Sequence, residues 1–341
     1  MPINLLTTPH WKAEHLGLPM PDSQHAVSVA LPLWEHNVKY EEGDPEVIGR
    51  LQAAYPRFCL HPFVRRLCLD VFGAANSGLI FPSVSAAERA IEYVVWRGGK
   101  SARRVQLPGQ SACGVAIDPD EFSRLREYWQ HAGEVLTSRA AELILHGRPV
   151  SSSETLARQT VRQRVREFRK DANVEVWLYP CGMAAIAAVW RAVRQRESSL
   201  PSVQFGFPYV DTLKIQQRFA PANARFYPVG DKDELQQLIE FLNTNQIAAV
   251  FCESTTNPLL KSLDLARLRQ LADQHGFLLV IDDTLAACVN HDVLPYADVV
   301  VTSLTKYFGG YGDVLAGSVT LNPSSHHAEW LRSGLGENFE E

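Results

Sequence analysis

The sequence contains no cysteine pattern that would indicate a disulfide framework or a zinc cluster. Its six cysteines, which form no CxxC pair and lie at no ligand spacing from a histidine, are Cys59, Cys68, Cys113, Cys181, Cys252 and Cys288. It also lacks an apolar run near the roughly 18 residues that a membrane span requires. The first residues, MPINLLTTPHWKAEH, have no apolar signal-peptide core. These absences predict a cytoplasmic protein that is neither secreted nor bound to a membrane.

Neither sign of charge strongly predominates in the sequence, since the formal net charge is −5. This balance predicts no basic surface for nucleic acid or for an anionic membrane. The basic run from Arg162 to Lys170 is interrupted by Glu167, so we interpret it as a solvated helix face. The eleven histidines are scattered without ligand spacing, and no metal site is predicted. No G-x-G-x-x-G follows a predicted strand, which disfavours a nicotinamide enzyme.

The second half of the chain has a clear alternation of strands and helices. From about residue 171 onward, apolar runs alternate with helical patterns, as in βα units that feed a parallel sheet. The runs are VEVWLYP (174–180), IAAVFCES (247–254), FLLVIDD (277–283) and ADVVVTSL (297–304). They have few polar positions, as expected for strands covered on both faces. The sequence therefore predicts an α/β fold with a mainly parallel sheet flanked by helices.

The domain organisation is predicted from the change in regularity along the chain. With 341 residues, of which 46% are hydrophobic, the chain is long enough for two domains. The first 150 residues are less regular, and the polar stretch HGRPVSSSET (146–155) predicts a surface linker. We therefore expect an N-terminal region over 1–150 and an α/β domain over 151–341. Leucines at helical spacing between residues 265 and 271 predict a helix that ends at His275-Gly276.

Polar residues stand at the ends of the four predicted strands. They are Cys181-Gly182-Met183, the segment from Glu253 to Asn257, Asp282-Asp283-Thr284, and the segment from Ser303 to Lys306. The carboxyl ends of parallel strands share one edge of a sheet, where α/β proteins bind ligands. We therefore expect these segments to converge in space.

Each of these positions also has an ordinary structural explanation. Gly182 lies between a strand and an Ala-rich helix, where it serves either a tight turn or a phosphate held by exposed N–H groups. Asp282 is either a structural carboxylate or the partner of a protonated ring nitrogen, since a buried acid stays ionised beside a cation. A lysine such as Lys306 is most often simply exposed. Ser303 and Thr305 add two hydroxyls beside it, and this combination meets the requirements of pyridoxal phosphate.

Four ordered motifs resemble one enzyme family. SLTKYFGGYGDVLAGSV resembles the cofactor-lysine signature of the Cys/Met-metabolism pyridoxal-phosphate enzymes, the cystathionine γ-synthase family. CGMAAI is similar to the family's S-G-M-A-A phosphate loop, ESTTNPLLKSLDL to its E-S-x-x-N-P segment, and VIDDT to its V-D-N-T strand end. Their order and spacing agree over about residues 171–321. The resemblance implies the large domain of a fold-type I pyridoxal-phosphate transferase in residues 151–341.

The resemblance implies roles for the residues that match the motifs. Lys306 would bind the cofactor aldehyde covalently and, once freed by substrate, would shuttle protons. Asp282 would hold the pyridinium nitrogen, and Asn257 would lie near the ring hydroxyl. Tyr209 would stack on the ring and assist catalysis, although Val210-Asp211 replace the two glycines of the family. Taken alone, an aromatic residue at that position is more typical of core or loop packing.

The phosphate group would be bound by residues of two subunits. Those from the same chain would be Gly182, Met183, Ser303 and Thr305. The family also borrows a Tyr-x-Arg pair from a neighbouring subunit, which Tyr55 and Arg57 match, while Arg139 is a rival closer to the usual distance. Cys181 stands where the family has Ser or Thr, and Asp283 stands where it has Asn. A borrowed pair implies a homodimer or a homotetramer.

The N-terminal part, from HAVSVALPLWEH onward, resembles the long N-terminal region of fungal-type cystathionine γ-synthases. The implied reaction is a γ-replacement in which cysteine displaces the acyl group of an O-acylhomoserine and forms cystathionine. Two alternatives use the same apparatus: a γ- or β-lyase, and a non-catalytic homologue that keeps the cofactor. The family's C-terminal domain, which follows the lysine strand, is expected to be absent because the chain stops at Glu341.

Overall fold

The computed structural model describes residues 4, 6–150, 155–171, 173–220, 224–287 and 289–337. The chain forms two compact units. The N-terminal unit comprises Met1–Ser152 and Gly309–Leu315, and the C-terminal unit comprises Ser153–Phe308 and Ala316–Glu341. Cys288 and residues 151–154 of the predicted linker lie outside the described residues. Within the described ranges, no helix is long and apolar enough to cross a membrane.

The N-terminal unit combines helices with a small antiparallel sheet. Its elements are a 3₁₀ turn (Ala13–His15), α1 (Trp34–Glu42), α2 (Pro45–Arg50), α3 (Pro62–Phe72), β1 (Gly78–Phe81), α4 (Val84–Trp96), β2 (Arg103–Gln106), β3 (Cys113–Ala116), α5 (Phe122–Ala132) and α6 (Ser138–Leu145). The sheet order is β1-β3-β2. Local signals set the helix bounds: α3 begins with Pro62 behind the capping residue His61 and ends at Gly73, whose φ is 76°.

The C-terminal unit is an α/β domain. Its elements are α7 (Leu156–Arg169), β4 (Glu175–Tyr179), α8 (Gly182–Arg196), β5 (Ser202–Phe205), α9 (Val210–Arg218), β6 (Arg225–Tyr227), α10 (Lys232–Leu242), β7 (Ala249–Glu253), α11 (Leu265–His275), β8 (Leu278–Asp282), β9 (Val299–Thr302), β10 (Gly317–Leu321) and α12 (Ala328–Glu337). The sheet order is β4-β10-β9-β8-β7-β5-β6. From β9 to β6 all neighbouring strands are parallel, so their carboxyl ends share one edge.

The predicted α/β fold with a mainly parallel sheet is confirmed. β4, β7, β8 and β9 each lie inside one of the four predicted apolar runs, and every residue of β7 and β9 is buried. The predicted leucine helix is α11, which begins behind the capping carboxylate of Asp264 and ends at Gly276, whose φ is 75°. Near-continuous apolar runs for the strands, and leucine spacing with Gly at the end for the helix, were sufficient for these elements.

One strand departs from the expectation of parallel βα units, one lies at an edge of the sheet, and two short strands were not predicted. β10 runs antiparallel to both β9 and β4, and it was not predicted as a strand. β4 is the first strand in the sheet order and lies at an edge, with Glu175 and Trp177 only half-buried rather than covered on both faces. β5 and β6 were also missed, because they have only four and three residues and the latter is largely exposed.

The interpretation of Arg162 to Lys170 as a solvated helix face is wrong at one position. Arg164 and Lys170 are exposed, as expected, but Arg169 is buried with 3% of its surface exposed. It follows Val165 by four residues and therefore lies on the same buried stripe of α7. Its guanidinium group pairs with the buried carboxylate of Asp283, just after β8.

Candidate active site

The N-terminus of α8 lies just beyond the carboxyl end of β4. Cys181 is its capping residue, and the Sγ atom accepts a hydrogen bond from the backbone N–H of Ala184 at 3.4 Å. Cysteine thus takes the capping role that serine or threonine usually has. Gly182 is packed so tightly that a Cβ atom on it would lie 2.8 Å from the Cβ atom of Ser303. The positive end of the helix dipole therefore lies against the segment that follows β9.

Ser303 adds an unsatisfied hydroxyl group at this helix end. Its backbone N–H donates to Thr284 Oγ1 at 2.8 Å, which ties the end of β9 to the end of β8. Its own Oγ atom is buried and makes no hydrogen bond to any residue that the structure describes. A buried hydroxyl without a partner beside free helical N–H groups is suited to an oxygen of a bound phosphate.

Asp282 ends β8 and is half-buried. Its Oδ1 atom accepts a hydrogen bond from the backbone N–H of Thr284 at 2.9 Å. Burial raises the pKa of Asp282 above its ordinary value; the hydrogen bonds from Thr284 lower the pKa and the charge of Asp283 raises it. A cation bound against this carboxyl group would favour the ionised form, as a protonated ring nitrogen does.

Glu253 ends β7 and lies directly beside Asp282 in the parallel register. It is 9% exposed and accepts hydrogen bonds from the backbone N–H groups of Tyr209 and Asn257. Tyr209 is half-buried at the start of α9, whereas Asn257 is exposed. The structure therefore brings both predicted cofactor contacts to the same strand end as Asp282.

Lys306 lies three residues after Ser303, and its side chain is exposed. Its backbone N–H donates to the carbonyl oxygen of Ser303 at 3.3 Å, so the lysine begins from the turn that carries the unsatisfied hydroxyl. The Ser303–Thr284 hydrogen bond connects the ends of β9 and β8, and the N–H of Ser254 donates to the carbonyl oxygen of Asp282 at 3.1 Å and connects β7 to β8. The Gly182–Ser303 contact joins the start of α8 to them. The expected convergence of the four strand-end segments is what the structure shows.

Two predicted phosphate ligands already have partners within the protein. The hydroxyl of Thr305 donates to the carbonyl oxygen of Ala316 at 3.1 Å and accepts from the N–H of Ala316 at 3.0 Å. The sulfur of Met183 is buried and accepts a hydrogen bond from Thr212 Oγ1 at 3.9 Å. The hydroxyl proton of Thr305 is therefore not directed at a ligand. Met183 can still offer a backbone N–H in the first turn of α8.

A buried ion pair lies next to Asp282. Asp283 accepts a hydrogen bond from Arg169 Nη2 at 2.6 Å and another from Thr302 Oγ1 at 2.5 Å, and both charged side chains are fully buried. Burial raises the pKa of Asp283, while the charge of Arg169 opposes that shift. The aspartate that replaces the family's asparagine is thus accompanied by a buried cation.

The residues predicted to come from a neighbouring subunit lie in the N-terminal unit. Arg57 is 1% exposed; it donates to the carbonyl oxygen of Gln130 at 2.8 Å and stacks on Tyr55 at 5.4 Å. Its rival Arg139 is half exposed and contacts Asp313, with 3.3 Å between Nη2 and Oδ2. Asp313 belongs to the Gly-rich loop that follows Lys306 in the chain.

Three residues of this site had no predicted role. Glu253 and Thr284 were noted at strand ends, but nothing local indicates that they hydrogen-bond to other segments. Arg169 was placed on a solvated face. For Arg169 a signal existed, because an arginine at four-residue spacing from Val165 interrupts an apolar stripe.

The described residues fit a phosphorylated pyridine ring. The unsatisfied Ser303 hydroxyl and the close approach at Gly182 suit a phosphate group, and the half-buried carboxyl of Asp282 suits a ring cation. The exposed Lys306 lies in the turn that begins at Ser303. Among the described ranges, no group of three or more His, Cys, Asp or Glu side chains could hold a metal ion.

Comparison with known proteins identifies the family. The family model described as "Cys/Met metabolism PLP-dependent enzyme" matches residues 136–339, which is more than half of the chain. The chain belongs to this family. Its members use pyridoxal phosphate, so the family assignment and the fit of the site agree on the cofactor.

Relatives at the level of whole chains are cystathionine γ-synthases and similar proteins. The cystathionine γ-synthase of Neurospora crassa is 28% identical, with 96% of this chain and 74% of the relative covered. The cystathionine γ-synthase-like protein ankD of Aspergillus thermomutatus is 32% identical, with 96% and 68% covered. A solved structure of a putative O-acetylhomoserine (thiol)-lyase from Campylobacter jejuni is 25% identical with a TM-score of 0.41; 48% of this chain and 39% of that chain are covered. The chain thus spans less than half of that structure.

Proposed function

We propose that this chain catalyses a γ-replacement in which an O-acylhomoserine and cysteine form cystathionine. The carbon–oxygen bond at the γ-carbon breaks, the acyl group leaves as a carboxylate, and a carbon–sulfur bond to cysteine forms as the thiol loses its proton. The observation that carries the proposal is the linked set of strand ends that joins Gly182, Ser303, Asp282 and Glu253 on one edge of the sheet. The similarity to fungal cystathionine γ-synthases supports the choice of reaction.

The residues of the C-terminal unit have separate tasks in this proposal. The N–H groups at the start of α8 and the hydroxyl of Ser303 bind the phosphate. Asp282 holds a proton at the ring nitrogen, and Tyr209 packs on the ring. Pyridoxal phosphate, when bound, supplies the electron sink that stabilises negative charge at the substrate's α-carbon.

Lys306 performs the proton transfers in the proposed mechanism. Its amine binds the cofactor in the resting enzyme; once the substrate amine replaces it, it takes the proton from the α-carbon. After passing that proton on, Lys306 removes a proton from the β-carbon, and the electron pair left there allows the acyl carboxylate to leave from the γ-carbon. The exposed position of Lys306 at the strand-end edge lets an incoming substrate reach it.

We also propose that the protein is a cytoplasmic homodimer or homotetramer in which a neighbouring subunit contributes to the phosphate site. Tyr55 and Arg57 match the family's pair, but Arg57 is buried and bound to Gln130. Arg139 is half exposed beside the loop that follows Lys306. The exposure favours Arg139, whereas the sequence pattern favours Tyr55 and Arg57.

The first test is the visible absorption of the purified chain with pyridoxal phosphate. We expect a band that Lys306→Ala removes and that the control Lys261→Ala keeps, because Lys261 donates to the carbonyl oxygen of Val229 within the same unit. Supplying an O-acylhomoserine and cysteine should then yield cystathionine, and light scattering on the same sample should give the mass of an oligomer.

The alternatives predict different products. A ketoacid with ammonia would indicate a lyase and contradict γ-replacement. A Lys306-dependent band without any product would indicate a non-catalytic homologue. A folded chain that gives no such band contradicts the proposed function altogether.

A further inference from the structure

One carboxyl group holds two separate loops at the candidate site. Glu253, the last residue of β7, accepts a hydrogen bond through Oε1 from the backbone N–H of Tyr209, which follows β5. It accepts another from the backbone N–H of Asn257, in the loop after its own strand. Backbone groups are thus held at the two residues that the family pattern places on the cofactor ring.

The position of Glu253 carries a cost in stability. It is 9% exposed, and among the described residues the charged group that acts on it is the carboxyl group of Asp282 rather than a lysine or arginine. Its neighbour across the parallel register is another carboxyl group, that of Asp282. Burial and the charge of Asp282 raise the pKa of Glu253, while the two backbone hydrogen bonds lower it. A buried acid beside a second acid is unfavourable for folding and is typical of functional sites.

The geometry also explains why a carboxyl group serves here. A side chain with one acceptor oxygen that reached only one of the two loops would leave the backbone N–H of the other loop without a partner. A carboxyl group has two oxygens and about four acceptor positions, so it can accept from both N–H groups at once. Glu253 and Asp282 are partners at the ends of neighbouring strands. The carboxyl group of Glu253 therefore also sets how far the Tyr209 and Asn257 loops lie from Asp282.

We propose that Glu253 is a positioning residue whose carboxyl group fixes the backbone at Tyr209 and Asn257 and thereby places both residues against a cofactor held by Asp282. This inference rests on the proposed function, and it adds a residue that does not itself touch the cofactor. Its loss should loosen both loops together, although they follow different strands.

The first experiment measures backbone hydrogen exchange in the cofactor-free protein, by mass spectrometry with residue resolution. Glu253→Ala should speed exchange at the amides of Tyr209 and Asn257 at least about tenfold, and Glu253→Gln, which keeps one oxygen, should act less strongly. The matched control is Asp298→Asn. Asp298 is also a buried carboxylate that accepts a backbone N–H, from Leu279 at 2.8 Å, but it precedes β9 at the opposite edge of the sheet. It should leave Tyr209 and Asn257 unchanged.

The second experiment measures cofactor affinity and the split between kcat and KM. Glu253→Gln should weaken pyridoxal phosphate binding about tenfold and lower kcat, while circular dichroism shows an intact fold. Unchanged exchange at both amides in a folded Glu253→Ala variant overturns the proposal. Faster exchange with unchanged cofactor affinity also overturns it, since the role is then only structural.

Different results would contradict the role of Glu253 and the proposed function. A wild-type chain without a Lys306-dependent band contradicts the proposed function and with it the placing of a cofactor. A wild-type chain with that band, and Glu253 variants that bind the cofactor equally well, contradicts only the role of Glu253.

Discussion

At the scale of single residues, Arg169 and Asp283 form a pair in which the aspartate stands where the family has asparagine and the arginine balances its charge. An aspartate at the buried end of β8 is unfavourable alone, and Arg169 compensates through a 2.6 Å hydrogen bond. Removing one partner of a buried pair leaves an uncompensated charge, which costs about 3–5 kcal/mol. Replacing both partners by neutral groups is often close to neutral in stability.

We expect Arg169→Met to lower the free energy of unfolding by about 3–5 kcal/mol, and the double variant Arg169→Met with Asp283→Asn to recover most of that loss. Denaturant unfolding of the single and double variants measures this coupling. The control is Arg164→Met, whose ion pair with Glu167 is exposed and should contribute less than about 1 kcal/mol. Additive losses in the double variant would contradict the prediction.

At the scale of elements, the contact between the start of α8 and the end of β9 determines the phosphate site. A side chain at Gly182 would overlap Ser303, whose hydroxyl is the unsatisfied group there. Both elements must therefore approach closely for the helix N–H groups and the hydroxyl to face one anion. A methyl group would separate them.

We expect Gly182→Ala to weaken binding of pyridoxal phosphate at least about tenfold and to lower stability by about 1–3 kcal/mol through overpacking. Gly334→Ala is the matched control, because its new Cβ would lie 3.0 Å from Ala192 Cβ farther along α8. That variant places its methyl group against α8 away from the phosphate site, so it should leave the cofactor affinity unchanged. Titration calorimetry measures the affinities, and equal affinities for both variants would contradict the role of the contact.

At the scale of the whole molecule, two titrations act on stability in opposite directions. His61 Nε2 donates to the Gln24 carbonyl oxygen at 2.9 Å, and Nδ1 accepts from the Phe63 N–H, so the buried ring must stay neutral. Burial lowers the pKa of His61 from 6.5 to about 4, so stability falls as pH decreases through that interval. Burial raises the pKa of Glu253 above 4.5, so stability of the cofactor-free protein falls as pH rises above that value.

We expect His61→Asn, which keeps a helix-capping side chain, to remove part of the stability loss between about pH 6.5 and 4, on the order of 2 kcal/mol. Glu253→Gln should reduce the fall in stability that occurs as pH rises above 4.5, and it should leave the His61-dependent fall at lower pH unchanged. Thermal unfolding across pH 4–8 of the cofactor-free wild type and both variants provides the comparison. Identical pH profiles for wild type and His61→Asn would contradict the assigned titration.

The sequence by itself determined the elements and motifs that depend on neighbouring residues. Apolar runs specify β7, β8 and β9, leucine spacing with Asp264 and Gly276 specifies α11, and the four ordered motifs specify the family. They could be predicted because periodicity, capping and motif spacing are local properties of the chain.

The tertiary structure alone decided which side chains serve the site and which serve the protein. Arg169 is buried because Asp283, 114 residues later, lies opposite it. The hydroxyl of Thr305 is committed to Ala316 because β10 returns antiparallel. Glu253 holds Tyr209, 44 residues earlier, because β5 and β7 are neighbours. The spacing from Val165 marks Arg169 as a candidate for burial, but its partner and the other contacts depend on strand order, which no local pattern in the chain encodes.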